Sequence, residues 1–281
     1  MRIDHVTIAG SELAPLERAF TEVGLAPEYG GVHSHGRTHM ALFGFADGSY
    51  IELIAPVAGQ EPPVWPEHMR EDGGPCAWAI TADDLDAEAV RLRRLGVPLT
   101  GPVYYNRRRT DGVLAEWDAV FLGDPVRPGA TLPFLIKDRT PRSWRVTPSA
   151  SVAALDAAAR CLKGIDTVIL GVRDLPAVVR QFQETFGWNA PAAGSDEALD
   201  AQLAVFEGTP IAVASPRGGE NWLTTRLARF GDGPCAVIIG ADTLAAGIQR
   251  FPVVRETPFA SRRIAWIDPA RLCGSRIGLV E

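Results

Sequence analysis

One feature constrains this 281-residue chain more than any other: a strand-like opening recurs four times, each time followed by the start of an amphipathic helix. The first is Ile3-Asp4-His5-Val6-Thr7-Ile8, with Ser11 as the expected N-cap before Leu13, Leu16, Phe20 and Val23. The second is Pro75 to Ile80, with Asp83 and Asp84 before Leu85, Ala89, Leu92 and Leu95. The third is Gly164 to Leu170, with Asp174 before Leu175, Val178, Phe182 and Phe186, and the fourth is Pro234 to Ile239, with Asp242 before Leu244, Ile248 and Phe251. Polar caps and apolar stripes at helical spacing mark each helix, and glycine stops at Gly96 and Gly187 end the second and third. The offsets are regular: His5 to Thr167 spans 162 positions and Cys76 to Cys235 spans 159. Periods this long, each with a mixed pattern, predict a tandem duplication of a βα-plus-strands module rather than a solenoid.

β-rich runs follow the helices. They are Thr38 to Phe45 and Ser49 to Ala55 around the turn Asp47-Gly48, then Val113 to Leu122 after Asp111-Gly112, then Leu132 to Ile136. The polar, basic stretch Arg139 to Thr147 reads as a linker, and Ala-rich Ser151 to Leu162 as a connecting helix. The expected layout is residues 1–138, a junction over 139–162, and residues 163–281.

Composition closes off several function classes. A net charge of −6 gives no electrostatic basis for nucleic-acid or anionic-membrane binding. No apolar run approaches the roughly 18 residues of a membrane helix, and Asp4 and His5 interrupt what would be a signal peptide. Four cysteines without close spacing suit reduced, buried thiols and a cytoplasmic setting. Dinucleotide, phosphate-loop and nucleophile-elbow motifs are missing.

Four βαβββ modules in two pairs resemble the vicinal oxygen chelate superfamily, which includes glyoxalases, extradiol dioxygenases and bleomycin-resistance proteins. Residues 1–138 resemble more narrowly its glyoxalase-like domain family. The matching residues are Asp4-His5, Gly30-Gly31-Val32-His33, Gly48-Ser49-Tyr50-Ile51-Glu52, Arg109-Thr110-Asp111-Gly112 with Trp117, and Leu132-Pro133-Phe134-Leu135-Ile136. The resemblance implies an α+β fold in which each pair of modules curls into a cup. It further implies that His5 on the first strand and Glu52 on the fourth sit at the usual ligand positions of a divalent metal (Zn, Fe, Mn or Ni).

Strand alternation is compatible with His5 and Glu52 entering the cup together, about 3–4 Å apart. The purely structural alternative has Glu52 paired with an arginine and His5 bonded within a polar core. His39 or His33 would be a third ligand, with His33 otherwise a polar cavity residue; His35 and His68 read as surface residues. The second module departs from the pattern, with Cys76 at the counterpart of His5 and Pro133 or Phe134 at that of Glu52. Thr167 and Gly278 stand at those places in the C-terminal half, which is therefore expected to be structural. Among Arg107, Arg108 and Arg109, the motif ahead of Asp111-Gly112 selects Arg109 as the inward anion clamp. Tyr50, Trp117 and Phe134 would line the pocket, and Glu52 would double as a base.

Two functions remain open. One is a metal-dependent lyase, isomerase or dioxygenase acting on a small substrate with vicinal oxygens. The other is a metal-free small-ligand-binding protein of the bleomycin-resistance type. Either takes a small-molecule partner, and a homodimer is compatible with both.

Overall fold

The structure is a computed structural model and describes residues 2–154 and 158–281. The first half runs β1 (Ile3–Ala9), α1 (Leu13–Glu22), β2 (Glu28–Val32), β3 (Thr38–Gly44), β4 (Tyr50–Pro56), α2 (Pro66–Arg70), β5 (Gly74–Thr81), α3 (Leu85–Arg94), β6 (Leu99–Arg108), β7 (Leu114–Leu122) and β8 (Phe134–Asp138). Two short helices, α4 (Arg142–Arg145) and α5 (Ala150–Ala153), follow. The second half runs β9 (Leu162–Gly171), α6 (Leu175–Phe186), β10 (Ala192–Asp196), β11 (Ala201–Val205), β12 (Ile211–Pro216), α7 (Trp222–Phe230), β13 (Gly233–Ala241), α8 (Leu244–Arg250), β14 (Val253–Phe259), β15 (Arg262–Ile267) and β16 (Arg276–Val280).

Each half is one eight-stranded sheet with the same topology. The orders are β2-β3-β4-β1-β5-β8-β7-β6 and β10-β11-β12-β9-β13-β16-β15-β14, so every strand of the second sheet repeats the first eight places on. In both, two modules meet along antiparallel central strands, β1 against β5 and β9 against β13. Ile3–Ile8 and Ile165–Leu170 are thus equivalent, as the duplication requires. The fold is α+β, two tandem curled sheets of the vicinal oxygen chelate type.

The helices form by the expected logic. Leu13, Leu16 and Phe20 are the buried stripe of α1. Asp84 and Asp174 cap α3 and α6 by accepting from Ala87 N (3.0 Å) and Ala177 N (2.9 Å). Two expected caps shift: Glu12 rather than Ser11 precedes α1, and Thr243 rather than Asp242 caps α8. The helix-facing sides of both sheets share one continuous apolar core, with Trp78 of the first half 6.3 Å, centroid to centroid, from Phe182 of the second.

The junction departs from expectation. Arg139 to Thr147 is not a solvated linker, since it carries α4, whose Arg145 is buried. Of the helix expected over Ser151 to Leu162, α5 ends at Ala153 and a single 3₁₀ turn covers Ala158–Cys161. Residues 155–157 lie outside the described residues.

Bulges fix which residues are equivalent. On the central strands they fall at Asp4 and Cys76 in one sheet and at Asp166 and Cys235 in the other, which has a further one at Lys163. The counterparts of His5 are therefore Ala77, Thr167 and Ala236; the bulge, which the sequence pattern does not show, moves the second-module counterpart one place on from Cys76. Glu52 pairs with Thr7 across β4 and β1, and the same register places Phe134, Ala212 and Gly278 at its counterparts.

Candidate functional site

The concave face of the first sheet encloses a cavity of about 300 Å³. Its polar end is built from β1, β4 and the loop before β3. Glu52, 8% exposed, holds the centre. Thr7 Oγ1 donates to Glu52 Oε2 (2.9 Å), His33 Nε2 lies 3.4 Å from Glu52 Oε1, and His5 Nε2 lies 3.9 Å from Glu52 Oε2. Burial pushes the Glu52 carboxyl up, but hydrogen bonding to His33, the positive charge that His33 and His5 carry when protonated, and the Thr7 hydroxyl outweigh it. The group comes to rest at about 2. It is a carboxylate at neutral pH and a weak base.

His5 is oriented from behind. Its Nδ1 is 2.8 Å from Asp4 Oδ1, and its ring stacks on Tyr50 at 4.6 Å and meets Phe134 edge-on at 5.3 Å. Asp4 is fully buried. Burial raises its carboxyl, yet the Arg145 charge and hydrogen bonds, with those of His5, hold it well below the usual range. A carboxylate at Nδ1 fixes the proton there and leaves the Nε2 lone pair facing the cavity.

The junction supplies the rest of this network. Arg145 Nη1 donates to Asp4 Oδ1 (2.9 Å) and Tyr50 Oη (2.9 Å), Nη2 to Asp4 Oδ2 (2.8 Å), and Nε to Asp138 Oδ1 (2.6 Å). Arg142 Nη1 donates to Asp4 Oδ2 (2.5 Å). Sequence reasoning missed both arginines. The available signal was Asp4 itself, because a carboxylate on a buried strand requires a cationic partner.

Opposite the polar end the walls are aromatic. Tyr50, Trp117 and Phe134 line the cavity as expected, joined by Trp65, Tyr105 and Phe121. His33 lines it as well. His35 is exposed but stacks on His33 at 5.4 Å at the cavity mouth.

Three expectations are corrected. His39 pairs with Ala55 in the register that sets Leu42 beside Glu52 and Thr38 and Met40 on the same face, so its side chain leaves by the opposite face, against Tyr29. It is not a ligand candidate. Arg109 does not enter the cup: it pairs with Asp111 (2.9 Å) and donates to the Ser143 (3.2 Å) and Trp144 (3.4 Å) carbonyls, while Arg107 is the buried one of Arg107, Arg108 and Arg109. His68 is buried, not on the surface, and stacks on Phe230 of the second half at 4.6 Å.

For a divalent ion, the donor set does not close. The second-module counterparts of His5 and Glu52, Ala77 and Phe134, offer no donor. Among the described residues, no three His, Cys, Asp or Glu side chains gather closely enough to hold one. The corresponding face of the second half is filled: Ile169, Leu203, Ala212, Phe259, Ile264 and Trp266 belong to one buried apolar cluster.

No curated protein matches the chain. Two solved structures share its fold over nearly its whole length. A hypothetical protein from Staphylococcus aureus superposes with a TM-score of 0.63 at 14% identity, covering 99% of this chain and 98% of that one. A mutant of 4-hydroxymandelate synthase from Streptomyces coelicolor gives 0.61 at 11% identity, covering 99% and 92%. Methylmalonyl-CoA epimerase from Mycobacterium tuberculosis is 21% identical over 43% of this chain and 89% of its own, with a TM-score of 0.37. The glyoxalase-like domain model matches residues 3–186, well over half the chain, and the chain belongs to that family.

Proposed function

We propose that the cup of the first half binds a small planar molecule bearing adjacent hydroxyl or enol groups, without a metal ion. The observation that carries this reading is the pairing of two hydrogen-bond acceptors at one end of an aromatic cavity. The His5 Nε2 lone pair and the Glu52 carboxylate stand 3.9 Å apart, facing walls that include Tyr50, Trp117 and Phe134. Neighbouring O–H groups on a flat ring can donate to both acceptors while the ring packs against the aromatic side chains. A cavity of about 300 Å³ suits a ligand of one ring and its substituents.

His5 is the natural proton acceptor of the pair. Its Nδ1 is engaged by Asp4, which leaves Nε2, beside Glu52, as the ring nitrogen that meets a ligand hydroxyl. Glu52, resting at about 2, takes the role of a fixed negative charge rather than of a base. This favours the ligand-binding alternative over a metal-dependent lyase, isomerase or dioxygenase, for which the protein offers an incomplete donor set.

Elemental analysis of purified protein tests the choice. Zn, Fe, Mn and Ni are expected well below one ion per chain, unchanged in His5→Ala. One ion per chain, lost in His5→Ala, would overturn the metal-free reading and restore His5 and Glu52 as ligands.

A further inference from the structure

A second pocket, of about 220 Å³, lies between β2, the end of β6 and the junction segment. It shares Arg145 with the polar network of the cup, but it opens elsewhere and none of His5, His33 or Glu52 lines it. Its distinguishing member is Arg107, which is 6% exposed.

Arg107 is a buried charge without a counter-charge in contact. Its Nη1 donates to Met40 Sδ at 3.5 Å and its Nη2 to the Arg145 carbonyl, while its buried Nε meets no acceptor. Among the described residues no carboxylate comes within ion-pair distance of it. The other two arginines of the pocket are matched: Arg145 by Asp4 and Asp138, and Arg109 by Asp111. Glu28 also borders the pocket, but its Oε1 accepts from Ala150 N (2.9 Å).

Burying a guanidinium with no ion-pair partner in contact is costly, and a group in that position gains from an anion. The pocket is also shaped for one. Thr110 offers a hydroxyl at the pocket edge, and the absence of a side chain at Gly30 lets Arg107 Nη1 pack against the β2 backbone there, since a Cβ would stand only 3.0 Å from it. Guanidinium groups bind carboxylate and phosphate oxygens through paired N–H donors.

We propose that this pocket binds a small oxyanion, phosphate or carboxylate, on the Arg107 guanidinium. The site is separate from the cup and stands whether or not the cup takes the ligand proposed above.

Thermal unfolding at constant ionic strength tests it, with inorganic phosphate or acetate replacing chloride. The wild-type melting temperature is expected to rise saturably with one or both anions. A response to phosphate alone assigns a phosphoryl group, and a response to both assigns oxyanions generally; either supports the site. Arg107→Gln should lose the response and Arg107→Lys should keep part of it. Should Arg107→Gln fail to fold, Thr110→Val at the pocket edge still reads out the site, with apparent affinity falling about tenfold. His5→Ala should respond like wild type. No response beyond chloride, or an undiminished response in Arg107→Gln, would overturn the proposal.

Discussion

Asp4 and His5 are consecutive residues of one strand, yet their side chains hydrogen-bond to each other on the same side of the sheet, Oδ1 to Nδ1 at 2.8 Å. In a regular strand they would point to opposite faces. The bulge at Asp4, where the pairing of β1 with β5 slips between Ile3 and His5, makes the contact available. The second half keeps the bulge and its acid: Asp166 accepts from Thr167 Oγ1 (2.7 Å) and pairs with Arg262 (2.8 Å). It has lost the imidazole.

Asp4 neutralises Arg145 and orients His5 together, so its removal should be expensive. Asp4→Asn leaves a 3%-exposed guanidinium short of one of its two charge partners, with only Asp138 remaining. A loss of about 3–5 kcal/mol is expected in urea denaturation. The sign with pH follows from the depressed Asp4 carboxyl: its contribution is full above the unfolded-state value and disappears as pH falls through the folded one. Wild type and Asp4→Asn should therefore converge in acid.

His68 provides a second pH signature, at the interface of the halves. Burial, then the nearby Arg226 and Arg127 charges, hold its imidazole down at about 3. The folded state keeps it neutral while the unfolded chain protonates near 6.5, so stability declines as pH falls from about 6.5 towards 3. His68→Phe preserves the stack on Phe230 and should flatten the slope between pH 6.5 and 5, by about 1–2 kcal/mol in urea denaturation. An unchanged slope would show that His68 is not the titrating group.

Gly278, at the place of Glu52 in the last module, has no room for a side chain. A Cβ there would collide with Ile264 Cγ2 and stand 3.0 Å from Ile238 Cδ1. Gly278→Ala should cost about 1–3 kcal/mol by overpacking, measured as a lowered denaturation midpoint. Full stability would imply an open second cup.

The fold was legible because duplication is visible as spacing: four capped helices and four strand openings recur at fixed offsets. At the site, His5, Glu52 and His33 were legible as polar groups on strands or in a glycine-bearing loop, and they do converge. Their surroundings were less so. The side of the sheet that receives His39 depends on a register between β3 and β4 that residue types leave open. The bulge at Asp4 is a backbone event with no residue signature. Arg142 and Arg145 read as linker because their partner, Asp4, lies about 140 positions away in the chain.

A visible-absorbance titration with 4-nitrocatechol, a coloured single ring with adjacent hydroxyl groups, shows whether the cup takes a planar ligand on His5 and Glu52 without a metal. The protein is first dialysed against a chelator. Wild type should give a saturable spectral shift at one site per chain, and His5→Ala and Glu52→Ala should abolish it. No saturable shift, the same shift in His5→Ala, or a shift that returns only when Zn or Fe is restored would rule out metal-free binding on His5 and Glu52.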